Sequence, residues 1–422
     1  MILEQLFFLI YRLVLAPLAR FLLICFAPVL TPKLRETVRG KREQRFTTKE
    51  MESLLRARRP LWIHAASGEI EYAKPLLRAL HERAPDVPLL VTYSSPSALR
   101  IIQGIPELAA WGPAPWESSL EIRNFIDRFQ PRGLLVARTD LWPLMIHEAH
   151  RAQIPSLLFA ATFAKNSSRL RGFSKYLTRF SLRRLSALQV VSAADLENLS
   201  DCVLSMPMEI AGDTRFDQVF HRLEHPKPLN DSLKPQVGPV LIAGSTWPED
   251  EAPLLEALSQ SSAWRMILVP HEVHQDHIDL IKETLKKKSM SFRLYSDGGP
   301  WTEKVLIVNQ VGFLAELYAW GDLAFVGGSF KKQVHSVMEP LAAGLRVIVG
   351  PSHLNNREAL HFREVLCEDD PLVLVALDSK DLKTYLENPD LIHHQHQIKS
   401  LVKTHQGATD HALTWLHKNN LI

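Results

Sequence analysis

At 422 residues the chain is longer than one ordinary core organises and suits two domains plus an extension, at roughly 100 to 200 residues per domain. Apolar residues make up 46% and charged residues 23%, a balance that excludes a long disordered region. A net charge of +3 and a pI near 8.6 are too mild for a nucleic-acid footprint, and three scattered cysteines, Cys25, Cys202 and Cys367, exclude a disulfide framework or a thiolate metal site.

The basic excess is local. Nine Lys or Arg lie between Arg12 and Lys49, overlapping the apolar run LFFLIYRLVLAPLARFLLICFAPVL at residues 6–30. As a helix this run would extend about 37 Å, enough to cross a hydrocarbon core of about 30 Å. Arg12 and Arg20, about 12 Å apart along the axis, cannot both reach opposite surfaces of that core. A helix lying in the interface with both arginines on its wet face avoids the cost of a central charge, about 3 kcal/mol. The flank RETVRGKREQR would then hold anionic headgroups and keep the body on the cytoplasmic side. Charges inside the apolar run and the lack of a small-residue cleavage pattern argue against a signal peptide. Residues 1–40 are therefore read as a membrane-associated helix and its basic flank.

From Leu61 onward, the runs LWIHA, PLLVTYS, GLLVART, PSLLFAAT and ALQVVS alternate with longer amphipathic stretches. Such runs predict parallel strands buried on both faces of a doubly wound α/β sheet. A proline-rich stretch at residues 225–239 interrupts the pattern, which resumes with VLIAGST, RMILVP, KVLIVN, LAFVGGS and RVIVGP. The expected division is a Rossmann-like acceptor domain over 41–228, a linker over 229–240 and a Rossmann-like nucleotide-sugar domain over 241–422, its last helix returning to the first domain. Two such halves facing a cleft resemble the GT-B fold of nucleotide-sugar glycosyltransferases, although fold alone fixes no chemistry.

Two constellations carry the chemistry. Ser67, Gly68 and Glu69 follow the run LWIHA at a strand-to-helix turn, where a carboxylate is suited to general-base work; as plain structure it would stabilise the helix N-terminus by a few tenths of a kcal/mol. Gly327, Gly328 and Ser329 follow the run LAFV, where close backbone approach would let amide groups face a phosphate. His335 and Glu339, four apart, are expected on one face at the start of the following helix, the imidazole for a phosphate or carboxylate and the carboxylate for a ribose diol. His393, His394 and His396 sit in a polar context and read as a solvated helix, so no metal or other cofactor is expected. Trp111 and Trp116 read first as ordinary packing, or else as a loop over the acceptor or a contact with the membrane.

Residues 327–351 resemble the CMP-binding stretch of the 3-deoxy-D-manno-octulosonic acid (Kdo) transferases, which attach Kdo to the lipid A precursor. HAASGE at 64–69, GDTRFD at 212–217, GSTWPEDE at 244–251, VPHE at 269–272 and Ser192 with Asp195 are similar to further motifs of that family, in the family's order. The resemblance implies an inverting, metal-independent transfer in which Glu69 deprotonates a hydroxyl of a lipid-linked glucosamine as CMP leaves Kdo. It implies that His271, Ser329, His335 and the amides of Gly327 and Gly328 bind the phosphate or the Kdo carboxylate, and that Glu339 holds the ribose. Ser67, Gly68, Arg138 and Asp140 would contact the acceptor or the transition state. CMP-Kdo, a lipid A precursor and membrane lipids would be the partners, at the cytoplasmic face of an inner membrane, with no nucleic acid. The chain departs from the family pattern in a base loop one residue shorter, in Ser336 for a common Asn, in Ala161-Thr162-Phe163 for Asn-Ala-Arg, and in Arg138 and Asp140 for two glutamates. These departures leave open a GT-B transferase using another nucleotide sugar, or a catalytically silent membrane-bound nucleotide or lipid binder.

Overall fold

A computed structural model describes residues 2–43, 45–200, 202 and 205–422. They form two compact units, Met1–Gln218 with His405–Ile422, and Val219–Thr404. The helix Thr214–Glu224 runs through the point of division.

Unit 1 is built on eight strands: β1 (Thr47–Thr48), β2 (Leu61–His64), β3 (Leu89–Tyr93), β4 (Ala110–Pro113), β5 (Gly133–Ala137), β6 (Ser156–Ala161), β7 (Ala187–Val190) and β8 (Met208–Ile210). Their order is β1-β4-β3-β2-β5-β6-β7-β8, parallel throughout except for β1. The five apolar runs became β2, β3, β5, β6 and β7. Periodicity missed β4, a four-residue strand holding a glycine and ending on a proline, and β8, an exposed edge. Trp111 is thus a strand residue and Trp116 a buried one. Alternate side chains feed two cores. Trp62, Leu90, Leu134 and Leu158 meet Phe125, Met145 and Phe180 on one face, while Leu61, Ile63, Val91 and Leu135 meet Leu76, Leu80, Leu413 and Leu416 on the other. The C-terminal helix Ala408–Lys418 is therefore part of this unit, and Asp217 fixes its start by accepting the N–H groups of Gly407 (2.7 Å) and Thr409 (2.8 Å).

Unit 2 carries β9 (Val240–Thr246), β10 (Arg265–Pro270), β11 (Phe292–Leu294), β12 (Val305–Ile307), β13 (Leu323–Val326), β14 (Arg346–Val349), a small hairpin of β15 (Leu366–Cys367) and β16 (Asp370–Pro371), and β17 (Val373–Val375). The main sheet runs β11-β12-β10-β9-β13-β14-β17, all parallel. In each sheet the strand order reverses beside the unit's first long strand: β2 lies between β3 and β5, and β9 between β10 and β13. Loops leaving the carboxyl ends at such a switch point diverge and leave room for a ligand. The pairs set side by side are 65–69 with 138–142 in unit 1, and 245–247 with 327–337 in unit 2.

The N-terminal helix is continuous over Ile2–Cys25, long and apolar enough to cross a membrane by length and composition. It packs along unit 1. Glu4 pairs with Arg183 at 3.1 Å, Phe8 stacks on Phe180 with centroids 3.8 Å apart, the Tyr11 hydroxyl donates to Glu117 at 3.0 Å, Ala16 is buried, and Arg20 pairs with Glu121. At 100° per residue a straight α-helix would rotate Arg20 about 160° away from Glu4. A π-helical turn, Tyr11–Leu15, absorbs that drift and keeps the contacts on one side. The opposite side exposes Leu6, Leu9, Leu13, Val14, Leu18 and Phe21.

Glu117 anchors this seat. It also accepts the N–H groups of Leu144 (2.9 Å) and Met145 (3.1 Å) at the start of the helix Pro143–Arg151, yet burial pushes its carboxyl up to about 7. The folded state holds this proton more tightly than the unfolded chain, so the contribution is full below the ordinary value of 4.5 and is lost as pH rises through about 7. Denaturant unfolding should therefore show a stability share, at most about 3 kcal/mol, that fades between pH 5 and 7.5, and Glu117→Gln should flatten that slope. An identical slope in the variant would contradict the assignment.

Candidate functional site

Glu69 is the last residue before the helix Ile70–Arg83, with φ −61° and ψ −15°. Its Oε2 accepts the backbone N–H of Ser67 at 3.1 Å, and its Oε1 lies 3.7 Å from Nη1 of Arg138. With its side chain 24% exposed, the carboxylate is held from two sides and remains reachable. Ser67 keeps its hydroxyl in a serine cluster, 2.6 Å from Oγ of Ser97, which in turn lies 3.0 Å from Oγ of Ser95. Gly68 faces open space.

Arg138 follows β5 in a left-handed conformation, φ +60°. Its guanidinium stands 5.5 Å from the centre of the Tyr72 ring. Arg215 stands 4.4 Å from the same ring but is clamped by Asp213, with Nη2 2.6 Å and Nε 3.1 Å from its Oδ2. Asp140 turns to His64 instead. Its Oδ2 meets Nε2 of the fully buried His64 at 2.7 Å, Nδ1 of that ring meets Oγ1 of Thr92 at 2.9 Å, and Nε1 of Trp62 donates to the same hydroxyl at 2.8 Å. Burial opposes ionisation of Asp140, but the hydrogen bond and charge of His64 hold it below the usual carboxylate range. Asp140 also lines a cavity of about 350 Å³ with Tyr11, Trp142, Arg169 and Ser174.

In unit 2, three rings stack. Trp247 lies on His271 with centroids 4.8 Å apart, and His271 on His335 with centroids 4.4 Å apart. Nε1 of Trp247 donates to Nε2 of His335 at 3.2 Å, so in the neutral ring Nδ1 carries the proton. Burial and the neighbouring His271 lower the His335 pKa, which favours that neutral form. A neutral N–H donor and an exposed imidazole thus stand together at the carboxyl ends of β9, β10 and β13.

The placements expected from sequence for His335, Gly327, Gly328 and Ser329 are corrected here. His335 lies in the loop before the helix Met338–Ala342, so it shares no helix face with Glu339. The amides of Gly328 and Phe330 do not wait for a phosphate: Asp250, fully buried, accepts them at 2.7 and 2.8 Å together with the N–H of Trp247 at 2.9 Å. The Gly327 N–H donates to the Gly244 carbonyl at 2.8 Å. A Cβ at Gly327 would lie 2.6 Å from Cα of Thr246, and Gly328 needs φ +79°, so both glycines serve strand packing and the turn. Ser329 is buried and donates its hydroxyl to the Val326 carbonyl at 2.9 Å. Glu339 sits 3.2 Å from Nη1 of Arg222, which also holds Glu316. Ser192 and Asp195 form a capping box, with Asp195 also accepting the Phe163 N–H at 2.7 Å. Among the described residues no three His, Cys, Asp or Glu side chains group to hold a metal ion.

Sequence reasoning passed over Trp247, Tyr72, His64 and Asp250. Each sat inside or beside a motif already noted, and Trp247 stood out as a large ring between a strand and a helix, but pairing across loops leaves no periodic signal. Asp250 carries a direct test. Asp250→Ala leaves three buried amide donors without an acceptor and should cost about 3–5 kcal/mol in chemical unfolding, with Asp250→Asn intermediate. A loss below about 1 kcal/mol would contradict this role.

A family model described as 3-Deoxy-D-manno-octulosonic-acid transferase matches residues 40–218. The chain is 28% identical over 351 residues to a 3-deoxy-D-manno-octulosonic acid transferase of Bordetella pertussis, covering 78% of each chain. It is 26% identical over 367 residues to a probable mitochondrial one of Arabidopsis thaliana, covering 82% of this chain and 81% of that relative. Among solved structures, UDP-GlcNAc 2-epimerase of Neisseria meningitidis superposes with a TM-score of 0.61 at 12% identity, over 85% of this chain and all of the other. MurG of Acinetobacter baumannii gives 0.52 at 13%, over 85% and all. These likenesses show a GT-B fold, and the sequence matches show a glycosyltransferase that is similar over most of its length to the 3-deoxy-D-manno-octulosonic acid transferases.

Proposed function

We propose that this chain moves Kdo from CMP-Kdo to a lipid A precursor (lipid IVA), with inversion and without a metal, at the cytoplasmic face of an inner membrane. The observation that carries the reading is Glu69: a reachable carboxylate at the switch point of the first sheet, oriented by the Ser67 N–H and the Arg138 guanidinium. In the proposed reaction Glu69 takes the proton of an acceptor hydroxyl. The hydroxyl oxygen forms the new bond to the anomeric carbon, and the bond from that carbon to the CMP phosphate breaks with its electron pair leaving on phosphate. His335, through its Nδ1–H, and His271 donate to the phosphate or to the sugar carboxylate, while Glu339 and Arg222 serve the ribose. The neutral His335 ring suits this task because it stabilises developing charge without a cation to desolvate. Ser67, Gly68 and Asp140 stand on the acceptor side, Asp140 through the polar cavity it lines.

The membrane part of the proposal rests on the N-terminal helix. Its polar contacts face unit 1 and its leucines face outward, which is how an in-plane helix buries its apolar side among acyl chains. A lipid acceptor would then keep its chains in the bilayer while its sugar reaches Glu69.

Purified full-length protein should transfer Kdo from CMP-Kdo to tetraacyl lipid A precursor, and Glu69→Gln should slow that transfer by about 100-fold or more while CMP binding is kept. CMP binding without any transfer would favour the silent binder, and transfer from another nucleotide sugar alone would replace the donor. For the helix, Leu13→Glu with Phe21→Glu alters only exposed positions, 63% and 62% accessible. The pair should release the protein from anionic vesicles in a flotation assay, and continued binding would refute in-plane seating.

A further inference from the structure

Arg138 is the least satisfied cation in unit 1's site. Among the described residues its one carboxylate contact, 3.7 Å to Glu69, is longer than the 2.7–3.2 Å of a hydrogen bond, and its buried Nε has no hydrogen-bond partner. The other arginine on the Tyr72 ring is spent on Asp213 through three contacts of 3.1 Å or less. Arg138 stays 42% exposed, beside the base. Its backbone adopts φ +60°, a strained conformation for a non-glycine residue that collects at binding sites.

We propose that Arg138 is an anion-recognition residue that binds a carboxylate or phosphate monoester carried by the acceptor near its reacting hydroxyl, drawing the guanidinium off Glu69 and leaving that carboxylate free to take the proton. A guanidinium fork binds either oxyanion through two parallel hydrogen bonds. The geometry limits where the anion sits. Nη1 is 3.7 Å from Oε1 of Glu69, a base must come within about 3 Å of the proton-bearing oxygen, and the anion lies about 3 Å from Nη1, so it sits no more than roughly 10 Å from the reacting hydroxyl. That span corresponds to a substituent on the same sugar ring or on its neighbour. Anionic acceptors are thus selected twice, once by binding and once by release of the base; a neutral acceptor leaves Arg138 paired with Glu69.

This inference rests on the glycosyltransfer reading for its substrate and is tested separately from it. Calorimetric titration of the full-length protein with inorganic phosphate and with a Kdo glycoside should show binding of at least one probe that Arg138→Gln weakens about 10-fold or more and Arg138→Lys partly restores. In transfer assays, Arg138→Gln should raise KM at least about 10-fold more for an acceptor bearing phosphate or a sugar acid than for the neutral glucosamine lipid, with kcat changing less. Which of the two charged acceptors is affected identifies the anion. Unchanged binding of both probes, or an equal KM rise on neutral and charged acceptors, overturns the proposal. If wild-type protein transfers nothing from CMP-Kdo yet binds a probe through Arg138, the functional reading fails and the anion site stands.

Discussion

Asp250, at the start of the helix Pro248–Ser259, is a buried acid that among the described residues is held by no ion pair, and burial accordingly raises its pKa. Three backbone N–H groups compensate it, and in doing so they tie the start of the helix Pro248–Ser259 to the loop leaving β13. The rest of the loop geometry at the carboxyl ends of β9 and β13 follows from that tie. Gly327 must lack a side chain because β9 runs against it, Gly328 must turn left-handed to aim its amide at the carboxylate, and the loop then emerges so that His335 reaches Trp247. Glu251, one residue on, repeats the pattern with Thr246 at 2.9 Å and His277 at 3.0 Å. An acidic cluster that would read as a ligand set is instead the internal frame on which the imidazoles are mounted.

Unit 1 follows the same principle with different chemistry. Asp140 is held inward by His64, and that bond fixes the loop after β5 at the switch point. The residue two positions earlier, Arg138, is thereby presented toward Glu69. Buried acids set the loops, and the exposed groups beside them are free to bind and react. At the two positions where glutamates were expected, Arg138 stands partly exposed beside Glu69, and Asp140 turns inward to His64.

Much of this was legible in the sequence, because both sheets are made of strands buried on both faces. Runs such as LWIH and RVIV, short, apolar and set between helix-like stretches, read as covered parallel strands, and the turn after LWIH placed Glu69 at a helix start. The two arginines of the N-terminal run pointed to a helix with a wet side; the π-helical turn that aligns this side with unit 1 was not legible, since it depends on Glu117, Glu121 and Arg183, far away in sequence. The short strands β4 and β8 were hidden by proline and by exposure. The helix expected to carry both His335 and Glu339 begins only at Met338, because the loop first turns back for its amides to meet Asp250. Hydrogen bonds between loops distant in sequence leave no pattern along the chain, and most of the errors about the site came from that.

The central claim is a single displacement with Glu69 as the base and the nucleotide monophosphate as the leaving group. One attack on the anomeric carbon, from the face opposite the leaving group, inverts its configuration, whereas a covalent sugar–enzyme intermediate would retain it. The anomeric configuration of the transferred sugar, determined by NMR on the product and compared with that of the donor, therefore tests the account most directly. Inversion in every product molecule is the predicted result. Retention would show that a second nucleophile takes part and that Glu69 does not act as the base described here.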